Sequence, residues 1–290
     1  EITMARVKWD EIAEKLFEGG CSKGMCYNYN STSKEYDYGE GWNGISGFTD
    51  NPSGADEQAS YADNIKYISL RGAENYGFTV KCYTYPDNFA ECLGKKTVTS
   101  GVTVAQQGRK AFGFAVITQV GNDTEGVDYA ETIHLIWNAT TSPSSKDYSS
   151  LNESPSPSEL SFEATANPIA IGNNFKPSCN MEISTAGHPD TDTTFWTAYN
   201  TLCGYLYGTD DSYTKLTGNT APEDWPSTST PSTKYFKNTG TESAPVYEGV
   251  KSSDTYAANT YYQKTAGADP KLPMPAEIIT LFGGTPNSVG

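Results

Sequence analysis

Short runs in which apolar and polar side chains alternate one by one dominate this chain, and that period of two is the signature of a half-buried β-strand. Phe78, Val80 and Cys82 share one phase, with Thr79, Lys81 and Tyr83 on the other. Ile133, Leu135 and Trp137 alternate with Thr132, His134 and Asn138, and Phe162, Ala164 and Ala166 alternate with Ser161, Glu163 and Thr165. From Phe112 to Val120 both phases are largely apolar, the pattern of a strand covered on two sides. Together with Ile65 to Leu70, these runs lie between Gly/Asn/Asp/Pro clusters. The expectation is a mainly β protein, an antiparallel sandwich or barrel. Its 20 Tyr, 11 Phe and 5 Trp suit such a sheet, because aromatic side chains pack well on a pleated surface.

One segment has helical spacing instead. Phe195, Tyr199, Leu202, Cys203 and Leu206 fall on a single stripe. Asp190 or Asp192 can cap its start, and Gly208 can end it in a left-handed conformation. This predicts a sheet-rich body with one flanking α-helix.

Residues 211–268 differ in character. Their aliphatic side chains are Leu216, Val246 and Val250, beside many Tyr, Phe and Trp. Trp225 to Thr233 reads as a Pro/Ser/Thr linker. Thr233–Lys237 and Asn259–Lys264 read as two arms of a small β-module. The domain reading is therefore a β-sandwich over 1–210, completed by 269–290, with an inserted β-rich surface module at 211–268.

The net charge of −15 makes tight binding to nucleic acid or to an anionic membrane unfavourable. The insertion holds six acids against five lysines, so −14 of that charge belongs to the body. No run of about 18 apolar residues exists to cross a membrane as a helix. No basic-then-apolar secretory signal opens the chain, so the six cysteines are expected to be reduced and mostly structural. Cys82 and Cys203 sit on apolar phases. Cys21 and Cys26, with four residues between them, have no second close Cys/His pair to complete a metal site; whether they pair with each other stays open.

Catalytic signals are weak. The two histidines, His134 in a strand and His188 in a turn, lack a GxSxG or comparable context, and ordinary surface or interface roles are expected. Carboxylate pairs are expected by chance among 35 acids. The expectation is no enzyme, no catalytic residue, no cofactor and no metal. Asn30, Asn122, Asn138 and Asn152 begin Asn-X-Ser/Thr sequences, which matter only in a glycosylating secretory pathway.

Several segments, in collinear order, resemble the major tail tube proteins of long-tailed, non-contractile (siphovirus-type) bacteriophages of Gram-positive hosts. They are Met4-Ala5-Arg6-Val7-Lys8-Trp9-Asp10, Trp42-Asn43-Gly44, Tyr61-Ala62-Asp63-Asn64-Ile65-Lys66-Tyr67 and Tyr83-Thr84-Tyr85-Pro86-Asp87. Gly101-Val102-Thr103, Phe112-Gly113-Phe114, Gly121-Asn122-Asp123-Thr124-Glu125-Gly126, Leu206-Tyr207-Gly208-Thr209-Asp210 and Leu272-Pro273-Met274-Pro275-Ala276-Glu277-Ile278-Ile279 complete the set. The resemblance spans 4–210 and 269–282, and suggests that Glu1-Ile2-Thr3 precedes the native start.

The resemblance implies a structural virion protein, made in the host bacterial cytoplasm, whose hexameric rings stack into the tail tube that conducts genomic DNA. Strands of neighbouring subunits would join into a ring β-barrel, with tape measure, tail tip and tail terminator proteins as partners. DNA would pass without specific binding, and an acidic lumen would keep it from docking. Asp123, Glu125, Asp128 and Glu131 are the candidate lumen residues. The alternative reading is a secreted or surface carbohydrate-binding β-protein, motivated by the Tyr/Trp richness and the acidity.

Overall fold

The computed structural model describes residues 9–54, 57–72, 74–145, 157–172 and 175–285. Residues 4–8 of the opening segment and Asn152 lie outside the described residues. The chain divides into two compact units, Glu1–Tyr207 with Pro270–Gly290, and Gly208–Asp269.

The first unit contains β1 (Phe17–Asn30), β2 (Glu35–Trp42), β3 (Ile45–Asp50), β4 (Ser53–Gly54), β5 (Glu57–Ala62), β6 (Ile65–Arg71) and β7 (Glu74–Cys82). It continues with α1 (Phe89–Cys92), β8 (Lys96–Thr99), β9 (Val102–Val104), β10 (Phe112–Asn122), β11 (Gly126–Thr141), β12 (Leu160–Ala166), β13 (Asn180–Ser184) and α2 (Thr193–Tyr207); α3 (Pro275–Leu281) follows the second unit. Nine strands form one antiparallel sheet in the order β2-β1-β10-β11-β12-β7-β3, with β13 on β11 and β4 on β7. The sandwich thus forms from one sheet rather than two, and no closed barrel is present among the described residues.

A single bend explains how one sheet makes two layers. In β11, Thr132–Ile136 pair with β13, whereas Ala139–Thr141 pair with β12. Between these stretches Asn138 takes φ 53°, and the register with β10 slips between Phe112 and Phe114. The irregularity turns the strand, as bulges do at sandwich corners. The β12–β7–β3 arm then packs back over β1 and β10. Phe78 of β7 accordingly stacks on Phe114 of β10 with ring centroids 5.7 Å apart, although β11 and β12 separate the two strands in pairing order.

The expected two-sided strand is β10. Phe112, Phe114 and Val116 enter an aromatic-rich interior with Trp42, Phe78, Val80, Phe89 and Phe162. Ala115 and Ile117, on the other phase, join Ile133, Leu135 and Trp137 beneath the helices. β11 is buried on both faces too. Thr132 and His134, expected on a polar phase, are therefore buried.

Helix α2 obeys its stripe. Tyr199, Leu202 and Leu206 are buried on the sheet, and Phe195 and Cys203 pack alongside. Of the two candidate caps, Asp192 acts: its Oδ1 accepts the Phe195 N–H at 3.1 Å, and Gly208 follows the last turn at φ 76°. Two tyrosines tie the layer down. Tyr27 Oη donates to the Leu206 carbonyl at 2.7 Å, and Tyr36 Oη accepts the Asn138 N–H at 2.9 Å.

The C-terminal segment closes the same face. Leu272 bridges to Tyr36, and Trp137 Nε1 donates to the Pro273 carbonyl at 3.0 Å. Gly113 makes room for it: a Cβ there would sit 2.4 Å from Leu272 Cδ2. Two segments far apart in sequence are thereby locked together.

In the second unit, β14 (Ser212–Lys215), β15 (Tyr235–Asn238), β16 (Tyr247–Gly249) and β17 (Tyr261–Thr265) form a sheet ordered β14-β17-β15-β16. Its small core is Tyr235, Val250 and Tyr261, with Leu216, Trp225 and Tyr256 against it. Trp225 serves packing, within 5.0–5.4 Å of three tyrosine rings.

Two outcomes are expected. Leu272→Ala, at a position 2% exposed, should destabilise the protein by about 3 kcal/mol in denaturant titration through the cavity it leaves. Burial pushes the Tyr36 hydroxyl up to about 12, above its ordinary value near 10. The stabilisation from its protonated form is intact below pH ~10 and lost as pH rises through about 12. Tyr36→Phe should therefore show a smaller fall in stability across that window than the native chain, measured by denaturant titrations at the two ends.

Candidate assembly surface

A β-protein that assembles needs unsatisfied strand edges or apolar arms, and this chain has both. The outer edges of β3 and β13 meet no further strand among the described residues. β2, at the other end of the sheet, is different. Its edge is covered by its own C-terminal segment, where Gly39 N–H donates to the Pro270 carbonyl at 2.8 Å and Leu272 N–H to the Tyr36 carbonyl at 3.1 Å. Two outer edges are thus open among the described residues, and this one is covered.

The hairpin β5–β6 is the more informative feature. Its two-residue turn, Asp63-Asn64, has φ 51° and 65°, the geometry of a type I′ turn, and Ala62 pairs with Ile65 across it. The strand expected at Ile65 to Leu70 forms, but without cover on either face. Every residue of β5 is exposed, and so are residues 65–70 of β6. Ile65 is 65% and Tyr67 75% exposed on one phase, with Ile68 and Leu70 exposed on the other. An isolated two-stranded hairpin is marginal in water. This one is conspicuously apolar, pairs with no other strand among the described residues, and leaves an exposed patch of the kind that marks interaction surfaces.

Two other segments share this character. The hairpin β8–β9 exposes Val98, Val102 and Val104, and its turn passes through Gly101 at φ 79°. The arm before and into β1 exposes Trp9, Ile12, Leu16 and Phe17. These three segments each leave several large apolar side chains in solvent. Hydrophobic periodicity alone could not separate a solvent-exposed strand from one in the core.

The acidic candidates split. Asn122 Oδ1 accepts the Thr124 and Glu125 N–H groups at 3.1 and 2.5 Å, which folds the turn between β10 and β11 and exposes Asp123 and Glu125. Asp128 is exposed at the start of β11. Asp123 accepts the Ala13 N–H at 2.9 Å and lies 3.8 Å from Lys15 Nζ. Glu131 stands apart: half-buried, it accepts a hydrogen bond from the Tyr199 hydroxyl and lies 3.9 Å from Lys23 Nζ. Burial and that carboxylate push the Tyr199 hydroxyl well above its usual range. Glu131 is therefore tied to α2, and Glu125 and Asp128 are the ones without a protein partner among the described residues.

The cysteines are free thiols. Cys26 is buried, and burial followed by the neighbouring Cys92 pushes its thiol well above the usual range, so its thiol neighbour is Cys92, not Cys21. His134, expected at a surface or interface, is buried, with Nε2 2.8 Å from Thr118 Oγ1. This hydroxyl–imidazole contact does not make a hydrolase site. Thr118 lies mid-strand, paired by β1 on one side and β11 on the other, so neighbouring N–H groups are spent in the ladder rather than aimed at an oxyanion. His188 stacks on Phe195 at 3.6 Å and contacts Asp192 at 3.0 Å, at the helix start.

No family model and no curated protein matches the chain. Among solved structures, it is similar to a chain of the PVC sheath–tube complex of an extracellular contractile injection system in the extended state. That match has 11% identity, 56% of this chain and 89% of that chain covered, and a TM-score of 0.25. A second similar chain belongs to the PVC sheath/tube terminator in the extended state, with 13% identity, 62% and 100% coverage and a TM-score of 0.23. Scores this low leave the fold to be argued from its own strands.

Replacing Ile65 and Ile68 together by Lys should leave monomer stability within about 0.5 kcal/mol, because both side chains are already in solvent. The same variant should lose self-association in light scattering. Unchanged association would remove the hairpin from the interface.

Proposed function

We propose that this chain is a structural subunit of a bacteriophage tail tube, of the long-tailed, non-contractile type found on Gram-positive hosts. The observation that carries the reading is the solvent-exposed apolar hairpin β5–β6, which contains one of the collinear family-like motifs, Tyr61 to Tyr67. Hairpins and free edges that contact the next copy head to tail generate a ring when the rotation closes, and rings stack through open contacts. Hexameric rings would enclose the channel. Tail tip, tape measure and terminator proteins would meet the tube at its ends and lumen, and the subunit would be assembled in the host cytoplasm.

The charge supports passage of DNA rather than its capture. A body carrying −14 repels phosphates, and Glu125 and Asp128 are the carboxylates best placed to project such a charge. Residues 211–268 hold their own small core and act as an accessory module on this reading.

Purified protein, with tail-tip components as initiators, should form rings or hollow tubes under electron microscopy. Replacing 211–268 by a short linker should leave those tubes intact. Persistent monomers under all such conditions would overturn the tube reading, whereas tubes lost only in the deletion would make the module an interface element.

A further inference from the structure

The mouth of the sandwich holds a charge arrangement that the tube reading does not use. His134 on β11 and Glu182 on β13 stand directly opposite each other in the ladder. Asp50, the last residue of β3, completes the group. One donor atom from each of the three lies within 4.8 Å of the others.

The imidazole shows how the group is built. His134 is 8% exposed, and Phe48 lies against its ring at 5.6 Å. Nε2 is engaged by Thr118 Oγ1 at 2.8 Å, which leaves Nδ1 to face the carboxylates. Nδ1 is 3.4 Å from Glu182 Oε1, too long for a good hydrogen bond. No Lys or Arg among the described residues forms an ion pair with Asp50 or Glu182. Two carboxylates and a ring nitrogen thus converge with no protein cation between them.

The geometry points to a divalent transition-metal site, of the zinc class, formed by His134 Nδ1, Glu182 and Asp50. One imidazole and two carboxylates are an N/O donor set that such ions accept, with water in the remaining position. Tetrahedral ligands about 2.1 Å from zinc stand about 3.4 Å apart, and Nδ1 and Glu182 Oε1 already have that separation. Glu182 and Asp50 are exposed and can turn to close on an ion. Outer partners are in place: Thr118 Oγ1 on Nε2, and the Tyr76 hydroxyl donating to Asp50 Oδ1. Asp50 and Tyr76 also line a recess of about 350 Å³, and the exposed Asp50 and Glu182 leave the carboxylate side of the cluster open to solvent.

The site joins three strands. The outer edges of β3 and β13 are free among the described residues, and the His134 stretch of β11 pairs with β13 rather than with the β12–β7–β3 arm. A bound ion would clasp the curled sheet shut at that point. This does not depend on the tube reading.

The test is titration of tag-free, full-length protein with Co2+, read by its visible absorption, and with Zn2+, read by thermal unfolding. The native chain should give a saturable Co2+ spectrum and a rise in Tm with Zn2+. Glu182→Gln and Asp50→Asn, both at exposed positions that the fold tolerates, should each lose the spectrum and the rise. Tyr76→Phe should bind about tenfold more weakly. His188→Asn, away from the cluster, should bind as the native chain does. Absence of both signals in the native chain, or their persistence in Glu182→Gln and Asp50→Asn, would overturn the site.

Discussion

Burial of β10 and β11 on both faces is the constraint on which the rest of the structure depends. Only a strand with apolar side chains on both phases can separate two cores, and Phe112 to Val120 is such a strand. One face fills the aromatic interior around Phe114, and the other receives α2 and the C-terminal segment. The bend at Asn138 follows from this arrangement. β11 must leave the layer that carries β13 and enter the one that carries β12, and an irregularity with φ 53° lets it turn.

That economy leaves unusual surfaces. A single curled sheet keeps its terminal strands, so β2 and β3 both require an answer to the edge problem. β2 is answered from within, by residues 270–272, at the cost of committing the C-terminus to the body. β3 and β13 are not answered by any strand among the described residues. The two detached hairpins go further, placing Tyr67, Ile65 and Val98 in water. Solvated apolar arms on an acidic, otherwise well-packed body are consistent with a subunit whose fold is completed by its neighbours.

Much of this was legible in the sequence. Alternation located β7 and β12 and gave the inward phase of each, because one-sided burial imposes a period of two; it located β11 but marked only one of its two buried phases. The stripe from Phe195 to Leu206 located α2, with Gly208 marking its end and Asp190 or Asp192 its start, of which the structure uses Asp192. Alternation misjudged His134 and Thr132, whose polar chemistry masks a buried phase satisfied locally by Thr118 and Ser184. It also could not tell that Ile65 to Leu70 stands in solvent, since an apolar run does not by itself show what, if anything, covers it. The cluster of Asp50, His134 and Glu182 was invisible for a different reason. Its members lie on three strands, 48 to 132 residues apart, that the curl of the sheet brings together.

On the proposed tube reading, β5–β6 is completed by another copy of the chain. Hydrogen–deuterium exchange compared between monomer and assembled particle tests it most directly. The account predicts fast exchange across 57–71 in the monomer and strong protection there after assembly, with β10 protected in both. Equal, fast exchange of that hairpin in the two states would contradict it.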